Sequence, residues 1–201
     1  MCYSSTVDIA LAYDPIIYYS TEKFIKEKKS IEELVLKIRE TDPQNTSIAF
    51  LQPNQNYFRV TKDFKIYKTA TEFKREVSRW LHILDDHNHR SESLKRRIFV
   101  SRVNDALRHR MEEVYGTTAK VKVLVLVTGN PIPEEILKLI YPKLYSENVI
   151  LANFALFHSN DYIKRKTFQT LEYRYFDLNQ INEFFDMLRE KNELPFKHCL
   201  D

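Results

Sequence analysis

The sequence predicts an α/β protein, a three-layer sandwich around a mostly parallel central sheet with one antiparallel edge strand. Three observations carry that expectation. Short apolar runs alternate with longer segments whose apolar residues recur at three-and-four spacing. Such alternation implies crossover connections and a sheet covered on both faces. The run Lys122 to Thr128 is apolar almost without interruption, which suits a central strand buried on both sides. Nothing divides the 201 residues: there is no internal repeat, low-complexity tract or Pro/Gly/Ser-rich linker. A single domain over 1–201, with a short tail from about residue 192, therefore accounts for the chain, since domains usually run to roughly 100–200 residues.

The elements follow in order. Thr6 to Tyr13, TVDIALAY, reads as a buried strand. Lys23 to Arg39 carries Phe24, Ile31, Leu34, Val35 and Ile38 on one helical stripe. After the turn Asp42-Pro43-Gln44-Asn45 comes the strand TSIAFL, Thr46 to Leu51. The turn Pro53-Asn54-Gln55-Asn56 then leads into Tyr57 to Thr61 as the returning arm of a hairpin. Thr71 to Leu84 is an amphipathic helix with Phe73, Val77, Trp80, Leu81 and Leu84 on one side. Asp85 to Ser93 is polar and loop-like, and Arg97 to Val114 is a third helix. Beyond the strand ending at Thr128, Pro133 opens a helix at no cost, because its missing N–H is unneeded there. Ile136, Leu137, Ile140 and Leu144 face the sheet. Asn148 to Phe157 and Leu171 to Phe176 complete the strands. The last helix is expected to start at Asp177, capped by that carboxylate with Gln180 returning the bond, and to bury Leu178, Ile181, Phe185 and Leu188.

Composition excludes several classes of function. A hydrophobic fraction of 43% with 13% aromatics supports a proper core. No stretch approaches the roughly 18 apolar residues of a membrane span. The opening MCYSSTVDIALAYD lacks the basic region of a signal peptide, and Cys2 and Cys199 have no ligand-like spacing, so the expectation is a soluble intracellular protein with free thiols. The charge of +3 comes from 31 basic and 28 acidic residues scattered along the chain, apart from Lys95-Arg96-Arg97. That is a mixed solvated surface and not a phosphate-tracking face, so neither nucleic acid nor membrane is an expected partner. Gly116 and Gly129 are the only glycines. Dinucleotide fingerprints and phosphate loops need several, so that backbone N–H groups can approach phosphate.

Candidate chemistry is sparse. Asp85-Asp86-His87-Asn88-His89 suggests a metal site or nuclease signature, but adjacent side chains in a loop point apart and do not enclose one cation. His109 stands alone on its helix, and His82, His158 and His198 have no better claim. The strand-end loops Thr128-Gly129-Asn130 and His158-Ser159-Asn160 lack the nucleophile-elbow pattern. Glu134-Glu135 suits the positive end of a helix dipole. The first strand-end loop is the most informative. In a sheet of this pattern the end of the first strand is the obvious metal position, and a hard divalent cation wants an aspartate followed by hydroxyls at alternate positions. Here Asp14 is followed by Ile16 and Tyr18. Isoleucine has no donor atom and a phenol replaces a small hydroxyl poorly, so no metal and no cofactor is expected. Ile16-Ile17-Tyr18-Tyr19 suits packing, either against another protein or into the domain's own core.

The order of these segments resembles a von Willebrand factor A domain. More narrowly, it resembles the A domain of the non-ATPase ubiquitin-receptor subunit family of the proteasome regulatory particle, the tenth of that series. Asp42-Pro43-Gln44-Asn45-Thr46-Ser47-Ile48 is similar to that family's Asn-Pro-Glu-Asn-Thr-Val-Gly. Val123 to Ile132 is similar to its strand ending in Gly-Ser-Pro-Ile. Leu144 to Val149, running on to Asn153-Phe154, resembles its Leu-Lys-Lys-Asn-Asn-Val segment running to Asn-Phe. Ala106 to Arg110 is similar to its Leu-Lys-His-Arg. The likeness covers about residues 5 to 190, and the order and spacing of the motifs carry it more than any one of them.

The resemblance implies a non-catalytic scaffold that docks on the proteasome lid near the deubiquitinating metalloprotease subunit and holds lid to base, in cytoplasm and nucleus. It also implies that Asp14 and the turn Asn130-Pro131-Ile132 lie at the lid-facing end, as interface residues beside Ile16, Ile17, Tyr18 and Tyr19. The family's ubiquitin-binding helix follows its A domain. Glu193 to Cys199 does not match it, so ubiquitin binding by that element is not expected. Two other readings stay open: an A-domain subunit of the general transcription and DNA-repair factor, and a nucleotide-cleaving enzyme on a similar sheet. The first family usually carries cysteine-rich zinc modules, and the second needs a carboxylate poised in a cleft.

Overall fold

The computed structural model describes residues 7–14, 21–41, 46–54, 57–81, 92–106, 121–128, 132–140, 149–155, 165–168, 171–177 and 180–192. Seven strands form one sheet: β1 (Val7–Asp14), β2 (Thr46–Pro53), β3 (Phe58–Lys65), β4 (Val121–Thr128), β5 (Val149–Ala155), β6 (Arg165–Phe168) and β7 (Leu171–Asp177). Their order across the sheet is β3-β2-β1-β4-β5-β7-β6. The five inner strands run parallel, with β1 between β2 and β4. β3 is the expected antiparallel edge. A second short antiparallel strand, β6, pairs with β7 at the far edge; four residues are too few for a period-two pattern to announce it.

Among the described residues, five helices cover the sheet: α1 (Thr21–Thr41), α2 (Ala70–Trp80), α3 (Glu92–Asp105), α4 (Glu134–Ile140) and α5 (Ile181–Asn192). Strand side chains alternate between faces. Val7, Ile9, Leu11 and Tyr13 of β1 join Ile48 and Phe50 of β2 and Val123, Val125 and Val127 of β4 beneath α1, α2 and α5. Ala10 and Ala12, Leu51, Leu124 and Leu126 face the other way, beneath α3 and α4. The stripes on α1 (Ile31, Leu34, Val35, Ile38) and α2 (Phe73, Val77, Trp80, with Leu81 just beyond) are buried as their spacing predicts. No described helix is long and apolar enough to cross a membrane.

Three element boundaries differ from the sequence reading. α3 begins at Glu92, five residues before the expected start, and takes in part of the stretch read as loop. β7 continues to Asp177, in register with Ala155, so that residue is strand and not a helix cap. α5 begins at Ile181 instead, where the carbonyl of Gln180 accepts from Phe184 N–H at 3.1 Å and the Gln180 amide donates to Glu183 at 2.9 Å. Its buried face holds Phe184 and Met187 as well as Ile181, Phe185 and Leu188. Residues 82–91, 107–120 and 193–201 lie outside the described residues, and with them the His87–His89 string, His109, His198 and the expected tail.

Candidate functional site at the carboxyl end of the sheet

The parallel strands β1, β4 and β5 end together, and their last residues place three polar side chains on the α3/α4 side. Asp14 lies opposite Thr128 in the β1/β4 register. Asn153 on β5 is in register with Leu126, two residues before Thr128. All three are buried. A buried polar group must be hydrogen-bonded or it costs free energy, and each of these finds protein partners.

Asp14 meets Arg102 of α3. The guanidinium Nη1 donates to both carboxylate oxygens, at 3.1 and 3.0 Å, and both side chains are 0% exposed. Arg102 is on the inner face of α3 by helical arithmetic. Ile98, Phe99, Arg102, Val103 and Ala106 are all buried, a spacing that forms one face of a helix. The interior that receives the cation supplies the anion at the end of β1.

Asn153 fastens the connection after β4. Its amide donates to the Leu126 carbonyl at 3.1 Å and to the Thr128 hydroxyl at 2.8 Å, while its Oδ1 accepts from the Ile132 backbone N–H at 3.1 Å. One side chain thereby holds the last turn of β4 and the residue from which the chain enters α4. Pro133 then opens that helix, its carbonyl accepting from Ile136 and Leu137.

On the opposite face, Tyr13 stands edge-on to Trp80 with ring centroids 5.2 Å apart. Burial pushes its phenol well above the ordinary tyrosine range and the Asp14 carboxylate adds to that, against a hydrogen bond with Gln52 and the nearby Arg102 charge. Trp80 Nε1 donates to the Leu51 carbonyl at 2.7 Å. Tyr67, packed on Phe73 at 4.9 Å, is pushed up to about 12, by burial first and then by the Glu76 and Glu72 carboxylates. Phe50 of β2 joins the two pairs, its ring lying 5.2 Å from Trp80 and 5.7 Å from Phe73.

Two of the residues expected at an interface are buried in this chain. The Asp14 carboxylate is inside the protein and bound to Arg102. Ile132 is 2% exposed and belongs to the core beneath α4; an isoleucine opening a helix that packs on a sheet is drawn inward. Ile16, Ile17, Tyr18, Tyr19, Asn130 and Pro131 lie outside the described residues. Sequence reasoning passed over Arg102 and the bonding roles of Thr128 and Asn153. The signals were an arginine on an apolar helical face and an asparagine inside a strand with apolar neighbours.

No family model and no curated protein matches the sequence. Solved structures similar to this chain include the PilB minor pilin from Streptococcus sanguinis, at 9% identity and TM-score 0.55, covering 96% of this chain and 62% of the pilin. An aerotolerance-related membrane protein from Bacteroides fragilis matches at 11% identity and TM-score 0.53, covering 94% of this chain and all of that one. The SpRpn10 VWA domain matches at 9% identity and TM-score 0.48, covering 89% of this chain and 94% of that domain. The chain thus spans less than two thirds of the pilin's length. At these identities the likeness concerns the fold alone. With five parallel strands between antiparallel edges and helices on both faces, that fold is the von Willebrand factor A-like α/β sandwich.

Proposed function

We propose that this chain is a non-catalytic scaffold of the 26S proteasome regulatory particle, docking to lid and base subunits through the loops at the carboxyl end of its sheet. The observation that carries the non-catalytic part is how the polar groups there are used. Asp14 is neutralised by Arg102, and Asn153 bonds Leu126, Thr128 and Ile132. Groups already committed to internal bonds support a surface that recognises and does not react. In open α/β sheets, ligands and partners meet the molecule at this end. Asp14 then acts from beneath, holding the end of β1 to α3, while contact falls to Ile16, Ile17, Tyr18, Tyr19, Asn130 and Pro131.

The assignment to the proteasome rests on the ordered motifs from Asp42 to Asn153-Phe154. It includes the deubiquitinating metalloprotease subunit as a neighbour, and a location in cytoplasm and nucleus. Affinity purification of the tagged protein from native lysate tests the reading, with lid and base subunits expected among the recovered proteins. Recovery of transcription and repair factor subunits alone would reject it. Incubation with ubiquitin chains is expected to retain none.

A further inference from the structure

In a sheet of this strand order, an aspartate ending the first parallel strand and a hydroxyl ending the next lie side by side, as a hard divalent cation would require. Asp14 and Thr128 have that placement. The residues around them nevertheless do not fit such an ion. A divalent cation binds carboxylate oxygen at roughly 2.0–2.6 Å. Here both Asp14 oxygens already face the Arg102 guanidinium at 3.0–3.1 Å, with no exposure of either side chain. A second cation would meet that charge in a poorly screened interior, where like charges repel strongly. The Thr128 hydroxyl is engaged by the Asn153 amide, and the alternate positions after Asp14 hold Ile16 and Tyr18.

We propose that the Arg102 guanidinium is a built-in replacement for a divalent cation. It neutralises Asp14 and ties α3 to the end of β1, so that the sheet's carboxyl end keeps its structure, and any docking there, without metal. Arginine suits this role because its charge is permanent and its donors are arranged to meet both oxygens of a carboxylate. A bound metal could be removed by a chelator or by competing ions, whereas a side chain of the same molecule cannot. The proposal concerns the fold's own chemistry and stands whichever assembly the protein joins.

The test uses the full chain, stripped with EDTA and titrated with millimolar Mn2+, read by calorimetry and thermal unfolding. The wild-type protein is expected to show no saturable site and the same Tm in EDTA and in Mn2+. Arg102→Met, which keeps an apolar stem and removes the charge, is expected to have a lowered Tm in EDTA. Mn2+ is expected to restore none of that loss, because Ile16 and Tyr18 add no suitable ligands beside Asp14. The double variant Asp14→Asn/Arg102→Met should recover most of the Tm without metal. Saturable Mn2+ binding by wild type that disappears in Asp14→Asn would overturn the proposal. So would an Arg102→Met protein whose Tm in EDTA equals that of wild type.

Discussion

Arg102 and Asp14 form an ion pair inside the protein, and neither is tolerable there without the other. Removing one partner of a buried pair strands the remaining charge, at a cost of about 3–5 kcal/mol. Arg102→Ala is therefore expected to lose that much unfolding free energy in urea titration, whereas Asp14→Asn/Arg102→Met should recover most of it. Asn153→Ala removes the partner of one buried backbone N–H, one carbonyl and one hydroxyl. Even with partial compensation a loss of about 2–3 kcal/mol is expected, since each buried group left unsatisfied costs roughly 1–3 kcal/mol. The tyrosines give a pH signature. Tyr67 rises from 10.0 to about 12 on folding, so it contributes stability that is complete below pH 10 and lost as pH climbs through about 12. Tyr13 moves in the same direction. Ultraviolet difference absorbance is expected to show at least two phenols ionising later than the rest, and Tyr67→Phe should remove one of them.

At the scale of elements, α2 is the best-defined helix. Thr69 is its N-cap, extended in backbone, and its hydroxyl accepts from Glu72 N–H at 3.2 Å. Thr69→Ala is expected to cost about 1 kcal/mol, measured by the same urea titration. The approach to α2 is held from outside, because Arg39 at the end of α1 donates to the carbonyls of Tyr67 and Lys68, each at 3.0 Å. Lys65 pairs with Glu72 across the same connection, and that bond draws the half-buried Glu72 carboxyl below its ordinary range. α2 was legible through its stripe of Phe73, Val77 and Trp80, a local signal, whereas the Thr69 cap and the contacts from Arg39 and Lys65 show only in the folded chain. The start of α3 was harder to place, because Ser93, Leu94, Lys95 and Arg96 include no buried residue and so carry no apolar stripe. The short strand β6 offers no pattern of its own, only a pairing with β7.

Across the whole molecule, two cores lie on opposite faces of one sheet and share its strands: Leu11 and Tyr13 look one way, Ala10 and Ala12 the other. Neither layer can separate without exposing the same backbone, so a single cooperative transition is expected. Trp80, the only tryptophan, is buried between β2 and α2. Its fluorescence should change together with far-ultraviolet circular dichroism, and a fluorescence transition preceding the loss of helix would contradict a shared core. The proposed docking surface can be separated from the fold by mutation. Tyr18→Ala with Tyr19→Ala is expected to abolish recovery of partner subunits, as loss of aromatic anchors worth about 2 kcal/mol or more would do. The Tm should stay unchanged.

Much of the architecture needed only the linear order of residues. Strand–helix alternation set the class, the apolar run at Lys122 to Thr128 located the centre of the sheet, and the stripes on α1 and α2 chose their inward faces. Those properties follow from periodicities within one element, which neighbours along the chain express by themselves. The use made of Asp14 depends on a different kind of information. Its partner is 88 residues away, and whether a carboxylate binds an ion, meets another protein or is neutralised from within depends on which charge the folded chain brings beside it. Asn153 likewise reads as a polar residue in a strand until the sheet sets it against Leu126, Thr128 and Ile132. Burial and pairing across elements are decided by packing, and that is where the character of this sheet's end was determined.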